Sequence, residues 1–450
     1  MKIKDRSGNQ IVEGVIWKQL LLFFFPIVLG TFFQQIYNTA DAIVVGRFVG
    51  KEALASVGGS SNQIINLVVG FFIGLSSGAT VVISQFYGAR DKKNLNFALH
   101  TSIAFSIIGS LFITIIGMIF SPVFLRWMNT PQNLMADSAL YLRIYFAGIL
   151  FVFLYNIGSG ILRAMGDSKR PLYFLIVCCF LNIILDVVFV LFLHMGVAGV
   201  ALGTLLSQAV SALLVLRALM QPSEMYQLTF RELRLHPGTL HSVLRIGIPA
   251  GLQSVMYNIS NVIIQACLNS FGTDTVAAWT AFGKMDAFYW MVSSAFGIAI
   301  TTFIGQNYGA RKFDRIKKSV RVCFFMSMGA SLLISAVLLF FGSYIFQLFT
   351  GDPAVVDIGM GMVRFMVPAY SIYVFIEILS GALRGTGDVL IPMLMTCGGV
   401  CVLRLIWIAV MVPIRHEITT IIFSYPMSWT VTALMFIAYY IYRKRKWPAA

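Results

Sequence analysis

The stretch SQFYGAR at residues 84–90 returns as GQNYGAR at residues 305–311. A second stretch, ILRAMGD at 161–167, returns as ALRGTGD at 382–388. Both pairs are 221 residues apart, which is 305 minus 84 and also 382 minus 161. This offset is close to half of the 450-residue chain, so the two pairs indicate an internal duplication.

The composition sets the class of protein that these halves form. The hydrophobic residues make up 58% of the chain, only 11% of the residues are charged, and the formal net charge is +15. Soluble globular chains have about 45–50% apolar and about 25% charged residues. So few charges cannot cover a water-facing surface of this size, which excludes an ordinary soluble enzyme and a nucleic-acid-binding protein. The composition predicts an all-α polytopic membrane protein.

The length and spacing of the apolar runs predict twelve membrane helices. A bilayer core takes roughly 20 helical residues per crossing, and twelve apolar runs lie between residues 16 and 442. We expect two pseudo-symmetric six-helix lobes, residues 1–220 and 241–450, joined by a cytoplasmic linker at 221–240. Six crossings per half give both halves the same orientation. Two such lobes around a cavity are typical of transporters.

The basic residues orient this topology. With the N-terminus inside, 25 of the 33 Lys and Arg residues fall in inward segments and four in outward loops. This asymmetry follows the positive-inside rule and predicts a multi-pass protein of the plasma or inner membrane with both termini cytoplasmic. The net positive charge is then explained by orientation and by contact with membrane lipid. We expect a monomer and no nucleic-acid partner.

Carboxylates at membrane depth are costly and are therefore functional candidates. Asp41 lies deep in the first span and shares a helical face with Gln34, Tyr37 and Asn38. Pro26 removes one backbone hydrogen bond from the same span and allows a bend there. These residues predict a polar pocket on the first helix.

A second acidic residue lies in the middle of the fifth span. Asp186 follows Asn182 by one turn, and no basic residue is near it in sequence. A carboxylate in a low dielectric takes up a proton readily, whereas two carboxylates with neutral oxygens would suit Na⁺. Thr204 on the sixth span could add a hydroxyl to the same site, although a threonine that bonds its own helix carbonyl is commoner. The coupling ion, H⁺ or Na⁺, is left open.

The C-terminal half offers three further charged candidates. Glu377 lies within the tenth span, and Arg404 in the eleventh is a plausible partner for it. A structural salt bridge and a functional pair are equally compatible with this pattern. Asp286, near the start of the eighth span, is expected to belong to an outer gate or to pair locally.

The duplicated motifs resemble those of the MATE (multidrug and toxic compound extrusion) transporters. In that family the Gln-x-Tyr-Gly-Ala-Arg signature ends the second helix of each half. The Leu-Arg-x-x-Gly-Asp turn lies between helices four and five of each half. The resemblance covers nearly the whole chain. It implies an antiporter, not an enzyme, that needs no cofactor and expels organic, often cationic, compounds as H⁺ or Na⁺ enters.

The resemblance also implies site residues. DinF-like and archaeal members place a cation site, holding Na⁺ where Na⁺ is the coupling ion, in the N-terminal lobe. The matching positions here are Asp41, Asn182, Asp186 and Thr204. Tyr141 matches a tyrosine on helix four that borders the pocket. NorM-like members carry an additional glutamate on helix seven, but residues 249–269 contain no acid. The DinF-like type is therefore expected.

The alternative within transport is a flippase for lipid-linked saccharides, from the same wider superfamily. Such a protein would want a basic cavity for a pyrophosphate, whereas the buried charges here are mostly acidic. A receptor or an intramembrane enzyme is not expected, because the sequence shows no His/Glu/Asp cluster and no output domain.

Overall fold

The computed structural model describes residues 9–447, which contain helices and no strand. The two chain ends, predicted to be cytoplasmic, lie outside the described residues. We number the twelve long helical segments in chain order. They are α1 Ile16–Val49, α2 Lys51–Gly88, α3 Lys92–Trp127, α4 Gln132–Ala147 with Ile149–Ala164, α5 Lys169–Phe192, α6 Gly196–Met220, α7 Pro237–Leu268, α8 Thr273–Gly309, α9 Phe313–Gln347, α10 Pro353–Gly385, α11 Leu390–Ile414 and α12 Ile418–Arg445.

Most of these segments can cross a bilayer. Within the described part of the chain, ten are long and apolar enough, and the two pieces of α4, bent by 47°, make an eleventh crossing. The remaining segment, α7, has 32 residues and so exceeds the length that a crossing requires. The predicted all-α fold with twelve membrane helices is confirmed.

The duplicated motifs form the turns that end helices. Asp91 N donates to Phe86 O at 3.0 Å, and Lys312 N donates to Asn307 O at 2.9 Å. Asp167 N and Asp388 N bond Leu162 O and Leu383 O in the same six-residue pattern. This pattern caps the last free carbonyls of a helix and reverses the chain. The repeated sequences therefore encode four equivalent helix ends.

The backbone dihedrals repeat with the sequence. Arg90 and Arg311 have φ values of 55° and 57°, and Gly166 and Gly387 have φ values of 91° and 87°. Left-handed backbone is rare for a side chain such as arginine, so its recurrence at the 221-residue offset is a structural signature of the duplication. Glycine at 166 and 387 relieves the strain at the other pair of turns.

The described chain forms two compact units. One contains residues 25–251, and the other contains residues 9–24 together with 252–447. In the first unit the start of α7 lies against α2, because a Cβ at Gly74 would meet Ala250 O at 2.5 Å. In the second unit Arg315 Nε bonds Ile11 O at 3.1 Å, which holds the segment before α1.

Candidate functional site

Three helices of the first unit bring four of the predicted residues together. Asp41 on α1 accepts a hydrogen bond from Thr204 Oγ1 on α6, at 3.3 Å. The Asp41 carboxyl group also lies beside the side chains of Asp186 and Asn182 on α5. Asn182 and Asp186 are both 0% exposed, and Asp41 and Thr204 are each 8% exposed. The structure therefore brings this polar group together inside the helix bundle.

Glycine permits this close approach of α5 and α6. A Cβ built on Gly203 would collide with Asp186 Oδ1, and one on Gly199 would meet Phe189 Cβ at 3.0 Å. Small residues at a spacing of four let helix backbones approach closely within a membrane. Gly203 thus leaves the space that the Asp186 carboxylate occupies.

The polar atoms of this group are not satisfied by the described residues. Both carboxylate oxygens of Asp186, Oδ1 of Asp41 and both amide atoms of Asn182 are buried without a hydrogen-bond partner within residues 9–447. Burying such atoms unpaired costs several kcal/mol for a charge and roughly 1–3 kcal/mol for a neutral group. A proton on one carboxylate, or a small cation held by these oxygens, removes that cost.

Within residues 9–447, no basic side chain forms an ion pair with Asp41 or Asp186. The ion pairs formed between described residues are elsewhere, such as Arg170 with Asp167 and Arg443 with Asp388. Two adjacent carboxylates repel each other when both are ionised. Hard cations prefer oxygen ligands of the kind that carboxylate and amide groups supply. The residues present therefore fit either H⁺ or Na⁺ as a bound species.

The other residues predicted on α1 divide between two surroundings. Tyr37, 6% exposed, accepts hydrogen bonds from Gln208 Nε2 at 3.4 Å and from Gln34 Nε2 at 3.5 Å. Asn38 is exposed and bonds Gln35 at 3.4 Å instead. Tyr141 on α4 is 7% exposed and lies within electrostatic range of both Asp41 and Asp186. Tyr37 and Tyr141 thus adjoin the carboxylates, whereas Asn38 faces away from these partners.

The structure adds residues that were not among the predicted set. Thr204 continues into a buried polar stripe along α6 that contains Ser207, Gln208 and Ser211, at 1%, 7% and 0% exposure. The positions i, i+3, i+4 and i+7 share one helical face. The spacing of these polar residues in an apolar helix was a signal available in the sequence.

The expected pair of Glu377 and Arg404 does not form among the described residues. Arg404 Nη2 donates to Ser428 Oγ on α12 at 3.1 Å, and its guanidinium lies 3.8 Å from the centre of the Tyr425 ring. Glu377 lies next to Gly297 on α8 and close to Tyr373. The partner prediction was wrong because α12 supplies an aromatic face and a hydroxyl at the depth of Arg404.

Asp286 is hydrogen-bonded by one residue of its own helix and by one residue of α10. Trp290 Nε1, one turn further along α8, donates to Asp286 Oδ2 at 2.5 Å, and Tyr370 OH donates to Asp286 Oδ1. Tyr370 stacks on Tyr289 with ring centres 3.9 Å apart. The contact with Trp290 is the local pairing that was expected, whereas the contact with Tyr370 joins α8 to α10. The role of Asp286 in an outer gate stays a prediction.

Related positions on α6 and α12 contact groups of opposite charge. By the 221-residue offset, Tyr425 and Ser428 correspond to Thr204 and Ser207. Thr204 contacts a carboxylate in one half, whereas Tyr425 and Ser428 contact the guanidinium of Arg404 in the other. The two halves therefore share a backbone plan but not a site chemistry.

A duplicated bundle of twelve membrane helices with buried, unpaired carboxylates defines a multi-pass membrane transporter. A family model described as MatE matches residues 26–188 and 249–410, so the chain belongs to the MATE family of transporters. Members of this family are transporters and not enzymes, and they need no cofactor.

Several curated relatives are named as multidrug resistance or multidrug export proteins. The probable multidrug resistance protein YoeA of Bacillus subtilis is 29% identical, over 96% of this chain and 95% of its own. YpnP of the same organism, also a probable multidrug resistance protein, is 30% identical over 85% of this chain and 86% of its own. The multidrug export protein MepA of Staphylococcus aureus is 22% identical, over 86% of this chain and 85% of its own. These relatives support a multidrug exporter.

Solved structures share the fold. A multidrug resistance MATE transporter of the MOP superfamily, in an outward-facing conformation, superposes with a TM-score of 0.91. It is 23% identical, with 98% of this chain and 99% of that chain covered. A MOP superfamily transporter from Pyrococcus furiosus, described as having a binding pocket of reverse polarity, also gives a TM-score of 0.91 at 24% identity and full coverage of both chains.

Proposed function

We propose that this protein is a cation-coupled antiporter that exports organic, mainly cationic, drugs or toxic compounds from the cytoplasm across the plasma membrane. The observation that supports this most is the buried carboxylate pair of Asp41 and Asp186, which has no basic partner within residues 9–447. Asn182 and Thr204 complete the proposed ion site. The coupling ion is H⁺ or Na⁺.

The proposed cycle uses these groups in the N-terminal half. In an outward-open state Asp41 and Asp186 take up the coupling ion, which removes the repulsion between them. Because Asp41 lies on α1, its new contacts with α5 and α6 pull on that helix. The helix then bends near Pro26, where one backbone hydrogen bond is missing. The altered pocket releases the drug outward.

The membrane potential and an ion gradient supply enough free energy to export a drug against its concentration gradient. One charge crossing the membrane potential supplies about 2.3 kcal/mol per 100 mV. A proton gradient adds about 1.4 kcal/mol per pH unit. A gradient of two pH units can thus sustain roughly a hundredfold drug gradient for a one-to-one exchange, since each 1.4 kcal/mol is a factor of ten.

Transport by purified protein in liposomes tests the proposal. Ethidium efflux is measured after a Na⁺ jump and, separately, after a pH jump, with wild type and Asp186→Asn. We expect one jump to drive efflux by wild type and neither to drive it in Asp186→Asn. Asp137→Asn, the same change at an exposed position on α4, is the matched control and retains transport. Wild-type efflux from Asp186→Asn would overturn the carboxylate mechanism.

A further inference from the structure

A groove on the second unit combines an apolar floor with a basic end. It is a cavity of about 340 Å³ between α9, α10 and α12. The apolar part of its lining includes Phe324, Phe325, Phe375, Leu379, Ile437 and Ile441. Lys317, Arg321 and Lys444 line the same cavity. The basic residues lie in the first turns of α9 and the last turns of α12, at one end of the bundle.

The basic end carries more positive charge than its neighbours neutralise. Lys317 pairs with Asp314 at 3.2 Å, whereas Arg321 and Lys444 form no ion pair within residues 9–447. The adjacent Arg443 is different, because its Nε pairs with Asp388 at 2.9 Å. A site with uncompensated cations beside a hydrophobic floor is complementary to an anionic amphiphile.

The equivalent place on the first unit is covered by the chain itself. By the 221-residue offset, Asn96 and His100 correspond to Lys317 and Arg321. Asn96 Nδ2 donates to Met225 O at 3.4 Å, and Thr229 N donates to His100 Nε2 at 3.1 Å. Leu228, from the same segment, is 1% exposed.

The two grooves differ in what covers them and in their charge. In the first unit the segment that contains Met225 and Thr229 lies over α3 and α6. The residue beneath it at position 96 is the neutral Asn96. In the second unit the related positions carry two full positive charges, and no segment of residues 9–447 lies over Phe325, which is 65% exposed. The second groove is open, apolar and positively charged where the first is closed.

We propose that this groove is a binding site for an anionic phospholipid of the membrane. The phosphodiester group lies among Lys317, Arg321 and Lys444, and the acyl chains lie along the phenylalanine and isoleucine side chains of α9 and α12. Basic pockets between membrane helices on the cytoplasmic side bind anionic head groups. The positive-inside pattern predicts that the basic end of this groove faces the cytoplasm, where anionic lipids are abundant.

A lipid-binding measurement on the full chain tests this site. The purified protein in a neutral detergent is titrated with phosphatidylglycerol and, separately, with phosphatidylcholine, and bound lipid is counted by native mass spectrometry. The double variant Arg321→Gln/Lys444→Gln removes two charges from the groove. Lys318→Gln/Arg445→Gln removes two charges from exposed neighbours on the same two helices and is the matched control.

We expect wild type to prefer phosphatidylglycerol, and the groove variant to bind it at least tenfold more weakly. The control variant should keep the wild-type affinity, and phosphatidylcholine binding should not change in either. An equal loss in both variants, or no loss in the groove variant, would overturn the proposal. So would equally tight binding of glycerophosphoglycerol, which has the head group without acyl chains. The assay measures lipid and not drug, so its outcome is independent of the proposed antiport.

Discussion

Thr204 Oγ1 donates a hydrogen bond to Asp41 Oδ2 across 163 residues of sequence, at 3.3 Å. This contact joins α6 to the part of α1 that lies beyond Pro26. Among the described residues, this is the hydrogen bond that the Asp41 carboxylate accepts. The other carboxylate oxygen, Asp41 Oδ1, has no hydrogen-bond partner there. The hydroxyl therefore orients the carboxylate and leaves its other oxygen without a partner, where the proposed ion would bind.

Replacing Thr204 tests the role of its hydroxyl. Thr204→Ala removes a hydrogen bond to a charged acceptor, which is typically worth about 1.5–3 kcal/mol. We expect the concentration of coupling ion that half-saturates efflux to rise about tenfold or more. Thr204→Ser keeps the hydroxyl and should stay within about threefold of wild type. Equal behaviour of the two variants would show that the hydroxyl is not used.

Gly203→Ala tests the site without altering a polar group. The added Cβ would collide with Asp186 Oδ1 and displace the carboxylate. We expect energised efflux to fall by at least tenfold while the protein still inserts. Gly109→Ala is the control, because a Cβ there meets nothing within 4 Å and alanine favours a helix by up to about 1 kcal/mol. Full transport by Gly203→Ala would argue against a fixed position for Asp186.

The separate surroundings of Glu377 and Arg404 predict independent effects. Arg404→Met loses the bond to Ser428 and the contact with the Tyr425 ring, which together are worth about 2 kcal/mol. The change in the free energy of unfolding caused by Glu377→Gln should be the same whether residue 404 is Arg or Met. The decrease in melting temperature of the double variant should then equal the sum of the decreases of the two single variants, within the equivalent of about 0.5 kcal/mol. A coupling well above that value would mean that the two side chains interact.

Asp91 predicts a pH-dependent contribution to stability outside the membrane. Its side chain accepts from Asn94 N at 3.1 Å and from Asn94 Nδ2 at 2.6 Å, at the start of α3. These hydrogen bonds, the backbone one first, lower the pKa of the Asp91 carboxyl below its ordinary value. A lowered pKa means that the stabilisation is present above the unfolded value, about 3.9, and is lost as the pH falls through the folded value.

Two substitutions separate the cap from the charge. Asp91→Ala should cost about 1 kcal/mol, which appears as a lower melting temperature at neutral pH. Asp91→Asn keeps an acceptor but loses the charge, so its melting temperature at pH 7 should lie between those of Asp91→Ala and wild type. As the pH falls below the unfolded value of about 3.9 and through the lower folded pKa, the difference between wild type and Asp91→Asn should shrink because the carboxylate is protonated. A difference that does not vary with pH would exclude a role for the charge.

Local and periodic features were predictable from the sequence. The twelve helices follow from the apolar runs, and the turns at 84–90 and 305–311 follow from motifs whose backbone geometry is set by neighbouring residues. Arg90 and Arg311 adopt the same left-handed conformation because each half repeats the same helix-ending sequence. The division into lobes at residues 1–220 and 241–450, joined by a linker at 221–240, stays a prediction, as does the cytoplasmic placement of the ends.

The candidate site required both kinds of information. The sequence singled out Asp41 and Asp186 as acids in apolar helices, since a carboxylate in a membrane span is costly wherever it lies. Only the tertiary structure decided which groups meet. The packing of α5 on α6 places Asp186 over Gly203. The packing of α11 on α12 brings Arg404 into contact with Tyr425 and Ser428, and not with Glu377. Membrane depth and helical periodicity are encoded locally, whereas the partner of a buried charge depends on how helices distant in sequence pack.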